Sequence, residues 1–422
     1  MLNLLRRLQA DRRGNIAVIF AMLLVPLVGV AGGALDFGRL QMVHARLVDS
    51  ADSASVGAVA KNSAAMIAAA LMTGDGAITA GSAQATKIFN ANMAASPDVT
   101  VSGLTTTVTK SGLQVTSTVT VQASMPTYFL KIMGMSTLNT SAVSTSTNSL
   151  PTFIDFYMLL DNTPSMGVGA TPADVSTMVA NTPDQCAFAC HDLSNPTGNY
   201  YQLAKNLGVT TRIDVLRSAT ASLMDTAAST AVVSNQFRMG IYTFGASSAA
   251  PGFFTVASPS SNLTAVKALA ANIDLMTVPY QNFNNDQDTD FANVMSGANS
   301  AMPAPGTGKS ATSPQEVLFL VSDGVNDSSV GGNRSITTID PALCTTVKNR
   351  GIRIAVLYTT YLPLPTNAFY NSYVAPFASI ISPTMQACAS PGLFFEVSPT
   401  DGISNAMTAL FQKAVQNARI TS

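Results

Sequence analysis

The sequence predicts an α/β protein with a doubly wound, mainly parallel sheet, preceded by a transmembrane helix and a small α+β region. Three observations lead to this prediction. An uncharged run occupies residues 16–35, and a stretch of alternating Val and Thr follows at residues 99–122. From residue 151 onward, apolar strand-like segments alternate with helix-like segments, which is typical of a parallel sheet covered by helices.

The composition indicates a folded protein with a polar but weakly charged surface. Of the 422 residues, 47% are hydrophobic and 11% are charged, against roughly 25% charged residues in an average soluble protein. The formal net charge is −1. The sequence contains no basic stripe with interleaved aromatic residues, so we expect no nucleic-acid partner.

The uncharged run at residues 16–35 is long enough to be a membrane anchor. At about 1.5 Å per helical residue it spans the roughly 30 Å hydrocarbon layer. Four arginines precede it, and the positive-inside rule therefore places the short N-terminus in the cytoplasm. The alternatives are a signal peptide cleaved within residues 31–34 and a buried core helix; the length of the run and the clustered charges favour a retained anchor over residues 1–35. The arginines are Arg6, Arg7, Arg12 and Arg13.

The same segment, RRGNIAVIFAMLLVPLVGVAGGALDFGRL, resembles the N-terminus of the TadE/TadG-like family of Tad (Flp) pilus-assembly proteins. In pseudopilin members of that group, a glycine precedes the cleavage point and a glutamate follows five residues later. Here Gly14 is followed at that distance by Ile19. The resemblance therefore implies the uncleaved, TadG-like branch. Such a protein would be single-pass in a bacterial inner membrane, with most of the chain periplasmic or surface-exposed.

Residues 36–150 predict a mixed helical and β region. The Ala-rich part at residues 37–95 favours helix, continuing from the membrane and then returning. Residues 99–122 predict a β-hairpin that turns at Lys110-Ser111-Gly112. Residues 125–135 could form a short apolar helix, and the Ser/Thr-rich residues after it are strand-like. We assign no chemistry to this region.

Residues 151–422 predict a domain of alternating strands and helices. We expect strands at residues 153–160, 237–245, 316–323, 352–359 and 393–397. We expect helices at residues 212–230, 262–276, 291–302, 339–350 and 402–419. An insert at about residues 167–211 interrupts this alternation directly after the first strand, so we expect it to lie at the rim of any site there.

Polar residues follow two of these strands. The first strand runs into Asp161, Thr163 and Ser165 in the pattern D-x-T-x-S, and Asp323 ends the strand at residues 316–323. A carboxylate and two hydroxyls on one turn supply the oxygen ligands that Mg²⁺ prefers. The carboxyl ends of parallel strands are also where open α/β sheets bind ligands.

These residues resemble the metal-ion-dependent adhesion site of the von Willebrand A family, whose first strand ends in D-x-S-x-S. The resemblance implies that Thr289, in the loop NNDQDTDF, and Asp323 complete the ligand set. It also implies a von Willebrand A (Rossmann-like) fold from residue 152 to the end, with Mg²⁺, or alternatively Mn²⁺ or Ca²⁺, as the cofactor. The alternatives are that Thr163, Ser165 and Thr289 only cap helices, and that the site is degenerate and binds no metal.

The chain has four cysteines, an even number that suits disulfides in an oxidising compartment. Cys186 and Cys190 could close a small loop in the insert, and Cys344 and Cys388 would then pair. Four cysteines allow three connectivities, and free buried thiols or a zinc site are the alternatives.

The resemblances imply a protein of pilus assembly or surface adhesion that binds, through its metal, a partner offering an acidic residue, such as a pilus or envelope component. A metal-independent scaffold or tether is the alternative. We do not expect an enzyme. Ser165 lacks a G-x-S-x-G frame, and a histidine base would have to be His191, for which no orienting partner is identifiable.

Overall fold

The computed structural model describes residues 15–330, 333–361, 363–364, 367–398 and 402–420. The chain divides into two compact units, with the boundary between Leu150 and Pro151. The four N-terminal arginines and Gly14, on which the predicted membrane orientation and processing depend, lie outside the described residues.

Three helices form one layer of the N-terminal unit: α1 (Asn15–Ala58), α2 (Ala64–Leu71) and α3 (Thr79–Met93). Helix α1 contains Pro26 and continues through residue 35 without a break. Among the described residues, it is the one helix whose length and composition would allow it to cross a membrane. A membrane helix tolerates such a proline because neighbouring groups can satisfy the freed backbone carbonyl.

The second layer of this unit is an antiparallel sheet in the order β1-β2-β3-β4. Its strands are β1 (Gly76–Ala77), β2 (Thr100–Ser111), β3 (Gln114–Pro126) and β4 (Thr137–Ser149). Residues 125–135 do not form the short apolar helix that the sequence suggested. Strand β3 continues to Pro126, and a 3₁₀ turn at Leu130–Met133 ends at Gly134, whose φ of 87° is left-handed.

The C-terminal unit is built on a six-stranded sheet in the order β14-β13-β10-β5-β7-β8. Four of its pairings are parallel, and the edge strand β8 runs antiparallel to β7. The sheet is therefore mixed. The strands of this unit are β5 (Ile154–Leu160), β6 (His191–Asp192), β7 (Phe237–Thr243), β8 (Phe254–Ser260), β9 (Thr277–Val278), β10 (Gln315–Ser322), β11 (Val325–Val330), β12 (Asn333–Thr338), β13 (Arg353–Thr359) and β14 (Phe394–Val397).

Helices cover both faces of this sheet. Alternate residues of β5 point to opposite sides, as expected for a strand. Phe156 and Met158 pack in one apolar cluster with helices α6 (Arg212–Thr230) and α11 (Ile403–Ile420). Leu159 packs in a second cluster with helices α8 (Phe291–Ala301) and α10 (Ala378–Cys388). The helices of this unit are α4 (Pro172–Asn181), α5 (Tyr200–Asn206), α6 (Arg212–Thr230), α7 (Leu263–Ala270), α8 (Phe291–Ala301), α9 (Pro341–Lys348), α10 (Ala378–Cys388) and α11 (Ile403–Ile420).

Several elements of this unit were not expected from the sequence, among them strand β8, the β11–β12 hairpin and helix α10. Strand β8 contains Pro259, which an edge strand tolerates because it lacks one ladder partner. The β11–β12 hairpin follows Asp323 where the sequence suggested a direct passage to a helix. Helix α10 carries Pro383, and its position brings Cys388 to Cys344 of α9, with the sulfur atoms 2.01 Å apart.

Candidate metal centre at the strand ends

Asp161 follows β5 directly and organises the turn behind it. Its carboxylate oxygen Oδ1 accepts hydrogen bonds from the backbone N–H and the hydroxyl of Thr163, at 3.0 and 2.7 Å. Thr163 then precedes a 3₁₀ turn, Pro164–Gly167. In the D-x-T-x-S sequence, the Asp161 carboxylate therefore stabilises the turn that carries the hydroxyls of Thr163 and Ser165.

Asp323 reaches the same place from the neighbouring strand, β10. Ser322, the last residue of that strand, donates to Asp161 Oδ2 at 2.6 Å. Ser165 adjoins the Asp323 side chain and opposes the rise in its pKa that burial causes, and Ser165 Oγ lies 3.3 Å from Thr163 Oγ1. Asp161, Thr163, Ser165 and Asp323 are thus neighbours at one point, because β5 and β10 are adjacent and parallel.

Burial governs the ionisation of the two carboxyl groups. Neither side chain has solvent exposure. Burial raises the pKa of Asp161, and the negative charge of Asp323 raises it further. Burial also raises the pKa of Asp323, although the Arg212 guanidinium opposes that shift. Two carboxylates that are close together and shielded from water repel each other, so a cation bound between them is stabilised.

Thr289, the fifth predicted residue, lies across a cleft of about 230 Å³ that it lines together with Ser165. The loop that carries it is anchored by reciprocal backbone hydrogen bonds of 3.0 Å between Thr289 and Asp327. The structure therefore places all five predicted residues at one end of the sheet. Ser165 and Thr289 line the cleft, and the two carboxylates are fully buried.

Arg212 is a charged member of this site that sequence reasoning missed. It is the first residue of α6 and has no solvent exposure. Its Nη1 lies 3.5 Å from Asp323 Oδ2. Within the described part of the chain, its Nε and Nη2 have no hydrogen-bond partner. The only signal in the sequence was its place after the helix cap Thr211, which does not reveal that the side chain points inward.

A second acidic group, also not predicted, lines the cleft. Asp288 is buried, and its Oδ1 has no hydrogen-bond partner among the described residues. Burial raises the pKa of Asp288 to about 7, and the neighbouring charges of Asp286 and Asp327 add to that shift. Arg334 binds Asp327 through two hydrogen bonds of 2.6 and 2.8 Å. At neutral pH the wall of the cleft therefore carries both signs of charge.

The insert contributes to the cleft but not the disulfide suggested for it. Cys186, Phe188 and Cys190 line the cleft beside Ser165, yet both cysteines are free thiols. The sulfur of Cys186 is instead engaged locally, accepting from the backbone N–H of Phe188 at 3.4 Å. Burial raises the pKa of the Cys190 thiol to about 12, so it remains protonated and unreactive at neutral pH.

The donor atoms suit a hard divalent cation. Two carboxylates and three hydroxyls offer only oxygen, which Mg²⁺, Mn²⁺ and Ca²⁺ prefer. No cluster of three or more His, Cys, Asp or Glu side chains suited to a metal occurs in the described ranges. A cation here would therefore depend on two carboxylates, on the hydroxyls and on added water or partner oxygens. When bound, it would offer an open coordination position to an incoming oxygen ligand.

Comparison with known proteins identifies the N-terminal part of the chain. Residues 14–70 match the model of the TadE/G-like Flp pilus-assembly family, Tad. This chain has a TadE/G-like N-terminal segment. The match begins at Gly14 and covers the whole of helix α1 and all of α2 except its last residue, Leu71. No curated protein is significantly similar to this chain in sequence.

Several solved structures resemble this chain distantly. The von Willebrand factor domain of the type V pili tip protein Mfa5 from Porphyromonas gingivalis is 10% identical, with a TM-score of 0.37, over 65% of this chain and 97% of that one. The PilB minor pilin from Streptococcus sanguinis is 12% identical, with a TM-score of 0.34, over 76% and 77%. Proximal thread matrix protein 1 of the mussel byssus, whose adhesion-site motif holds zinc, is 13% identical, with a TM-score of 0.33, over 63% and 46%. These similarities are too distant to support a functional argument.

Proposed function

We propose that this TadE/G-like protein is anchored in a bacterial inner membrane and serves pilus assembly or surface adhesion by binding a protein partner through a divalent cation. Helix α1 is the anchor. The arginines before it hold the N-terminus in the cytoplasm, and the remainder is periplasmic or surface-exposed. The family match over residues 14–70 supports the pilus association, and the sequence between Arg6 and Asp36 supports the orientation.

The observation that carries the binding proposal is the cluster of Asp161, Thr163, Ser165 and Asp323 at the strand ends, with Ser165 lining a cleft. Mg²⁺, or alternatively Mn²⁺ or Ca²⁺, would take ligands from these residues and from Thr289. An Asp or Glu of the partner would enter the cleft and complete the coordination shell. The insert residues at the rim would then contact the partner and contribute to its selection.

A metal-independent scaffold is the second candidate, and the Arg212–Asp323 ion pair favours it. A buried guanidinium already compensates one of the two carboxylates, so the site can fold without a metal. In that case the C-terminal unit would act as a spacer on the anchor. In both candidates the role is non-enzymatic: the Ser165 hydroxyl adjoins the Thr163 hydroxyl at 3.3 Å, and His191 Nδ1 lies 3.3 Å from the Leu275 carbonyl oxygen.

Calorimetric titration of Mg²⁺, Mn²⁺ and Ca²⁺ into the full chain in detergent micelles distinguishes the two candidates. The variant Asp161→Asn removes one ligand charge with little change in volume. The control Asp225→Ala removes an exposed carboxylate that pairs with Lys267. Saturable binding that is kept in the control and lost in Asp161→Asn supports the adhesion site. Absence of binding to folded wild-type protein would establish the scaffold instead.

A further inference from the structure

The apolar turn, which we define as residues 127–136 between β3 and β4, exposes large hydrophobic side chains. The exposed fractions are 61% for Tyr128, 73% for Ile132 and 62% for Met133, and Met135 is exposed as well. A contiguous exposed cluster of this kind marks a surface that is covered by a partner or a membrane. The position of the turn along helix α1 indicates which of the two covers it.

The turn packs on the part of α1 that lies within the uncharged run. A Cβ on Gly32 would overlap the Phe129 side chain, and one on Gly29 would lie 3.2 Å from Met133 Sδ. Gly29 and Gly33 have the G-x-x-x-G spacing that suits close helix packing, but in this structure the chain's own turn occupies that face, because a Cβ on Gly33 would lie 3.4 Å from the Leu130 side chain. The turn therefore lies at the same depth as residues 29–33.

Polar contacts fix the turn at that depth. The buried carboxylate of Asp36 accepts hydrogen bonds from the backbone N–H groups of Tyr128, Phe129 and Leu130, at 3.1, 2.9 and 2.9 Å. The Arg39 guanidinium lies 4.0 Å from the centre of the Tyr128 ring. Asp36 is the first charged residue after the uncharged run. The turn thus begins at the predicted membrane surface and extends back along the span.

We propose that the apolar turn is inserted in the outer leaflet of the bilayer, beside helix α1, as a second membrane-contacting element. The proposal rests on the membrane anchoring proposed above. If residues 16–35 cross the hydrocarbon layer, residues 29–33 lie within its outer part, and whatever packs on them lies there too. Ile132 and Met133 contact acyl chains, Tyr128 lies at the interface where tyrosine is enriched, and Lys131 extends its ammonium group towards the headgroups.

Tryptophan fluorescence tests this placement cleanly, because the chain contains no tryptophan. The variant Ile132→Trp reports on the turn. Leu24→Trp reports on the middle of the span, and Val143→Trp reports on an exposed position of β4 in the same unit. Each full-length variant is placed in phosphatidylcholine–phosphatidylglycerol nanodiscs, with and without lipids that carry bromine along the whole acyl chain, from the headgroup end to the methyl end.

We expect the emission of Ile132→Trp and Leu24→Trp to shift to shorter wavelength and to be quenched by the brominated lipid, while Val143→Trp emission is unchanged. Quenching of Leu24→Trp alone would overturn the placement of the turn and leave the anchor intact. An unquenched Leu24→Trp would overturn both. A wavelength shift of Ile132→Trp without quenching would show that protein, rather than lipid, covers the turn.

Discussion

At the scale of single residues, Arg212 compensates part of the negative charge of the candidate metal site, because its guanidinium pairs with Asp323. Removal of one member of a buried ion pair leaves the other charge uncompensated, which costs about 3 kcal/mol or more. We therefore expect Arg212→Met to be less stable than wild type by about 3 kcal/mol at neutral pH. Because Asp323 is then free of its internal cation, added Mg²⁺ should recover much of this loss.

Thermal unfolding with and without Mg²⁺ measures this effect. The control is Arg217→Met, on the same helix, which removes partly exposed ion pairs with Asp214 and Asp274. That variant should lose stability without gaining any response to Mg²⁺. An Arg212→Met protein that unfolds at the same temperature with and without Mg²⁺ would count against a cation at the site.

A second buried acid lies at the opposite ends of the same strands, where Glu316, Asp155 and Arg238 align across β10, β5 and β7. Arg238 Nε donates to Asp155 Oδ1 at 2.7 Å. Among the described residues, Glu316 Oε2 has no hydrogen-bond partner. Burial raises the pKa of Glu316 to about 8, and the charge of Asp155 contributes, while Arg238 opposes the shift.

The folded protein holds this proton more tightly than the unfolded chain does. Folding stability therefore falls as pH rises from the ordinary glutamate value of 4.5 to about 8. We expect Glu316→Gln to exceed wild type in the free energy of unfolding by several kcal/mol at pH 8.5 and to match it near pH 4. Urea unfolding across this range measures the difference. Glu396→Gln, at an exposed carboxylate bonded to Ser382, should show no such trend.

At the scale of elements, the contact between α1 and the apolar turn depends on a glycine. Gly32→Ala places a methyl group against Phe129, so we expect the turn to move away from the helix. Gly38→Ala is the matched control, because a Cβ there meets nothing within 4 Å. Hydrogen exchange of the Tyr128, Phe129 and Leu130 amides measures the effect. Exchange should be faster in Gly32→Ala only, and equal rates in the two variants would contradict the packing.

The elements that the sequence predicts best are those with strong local signals. Helix α6 spans the predicted residues 212–230 because the capping box of Thr211 and Asp214 starts it sharply. Strand β8 was missed because its exposed polar residues and Pro259 suit only an edge position, which depends on β7. A 3₁₀ turn stands where a helix was predicted because only Leu130 of its apolar residues is buried, while Ile132 and Met133 are exposed, so they do not form one periodic face.

At the scale of the whole molecule, the site residues that directly follow or end strands could be predicted from the sequence. Those whose place in the site depends on the direction of a side chain could not. Asp161 and Asp323 could be placed together because both end apolar strands of one sheet. Arg212 and Asp288 belong to loops and caps whose side chains turn inward only in the assembled fold. The free state of Cys186 and Cys190 likewise follows from local backbone contacts that spacing does not specify.

Helix α1 has a mechanical consequence for the N-terminal unit. At 44 residues and about 1.5 Å per residue, it is a rod roughly 66 Å long. A continuous helix of this length is stiff and transmits force along its axis, whereas a flexible linker would not. The three backbone amides that bind Asp36 connect the helix to the segment between β3 and β4, so the helix cannot move along its axis independently of the sheet. Tension on strands β2–β4 would therefore reach the lipid as a tilt of the rod.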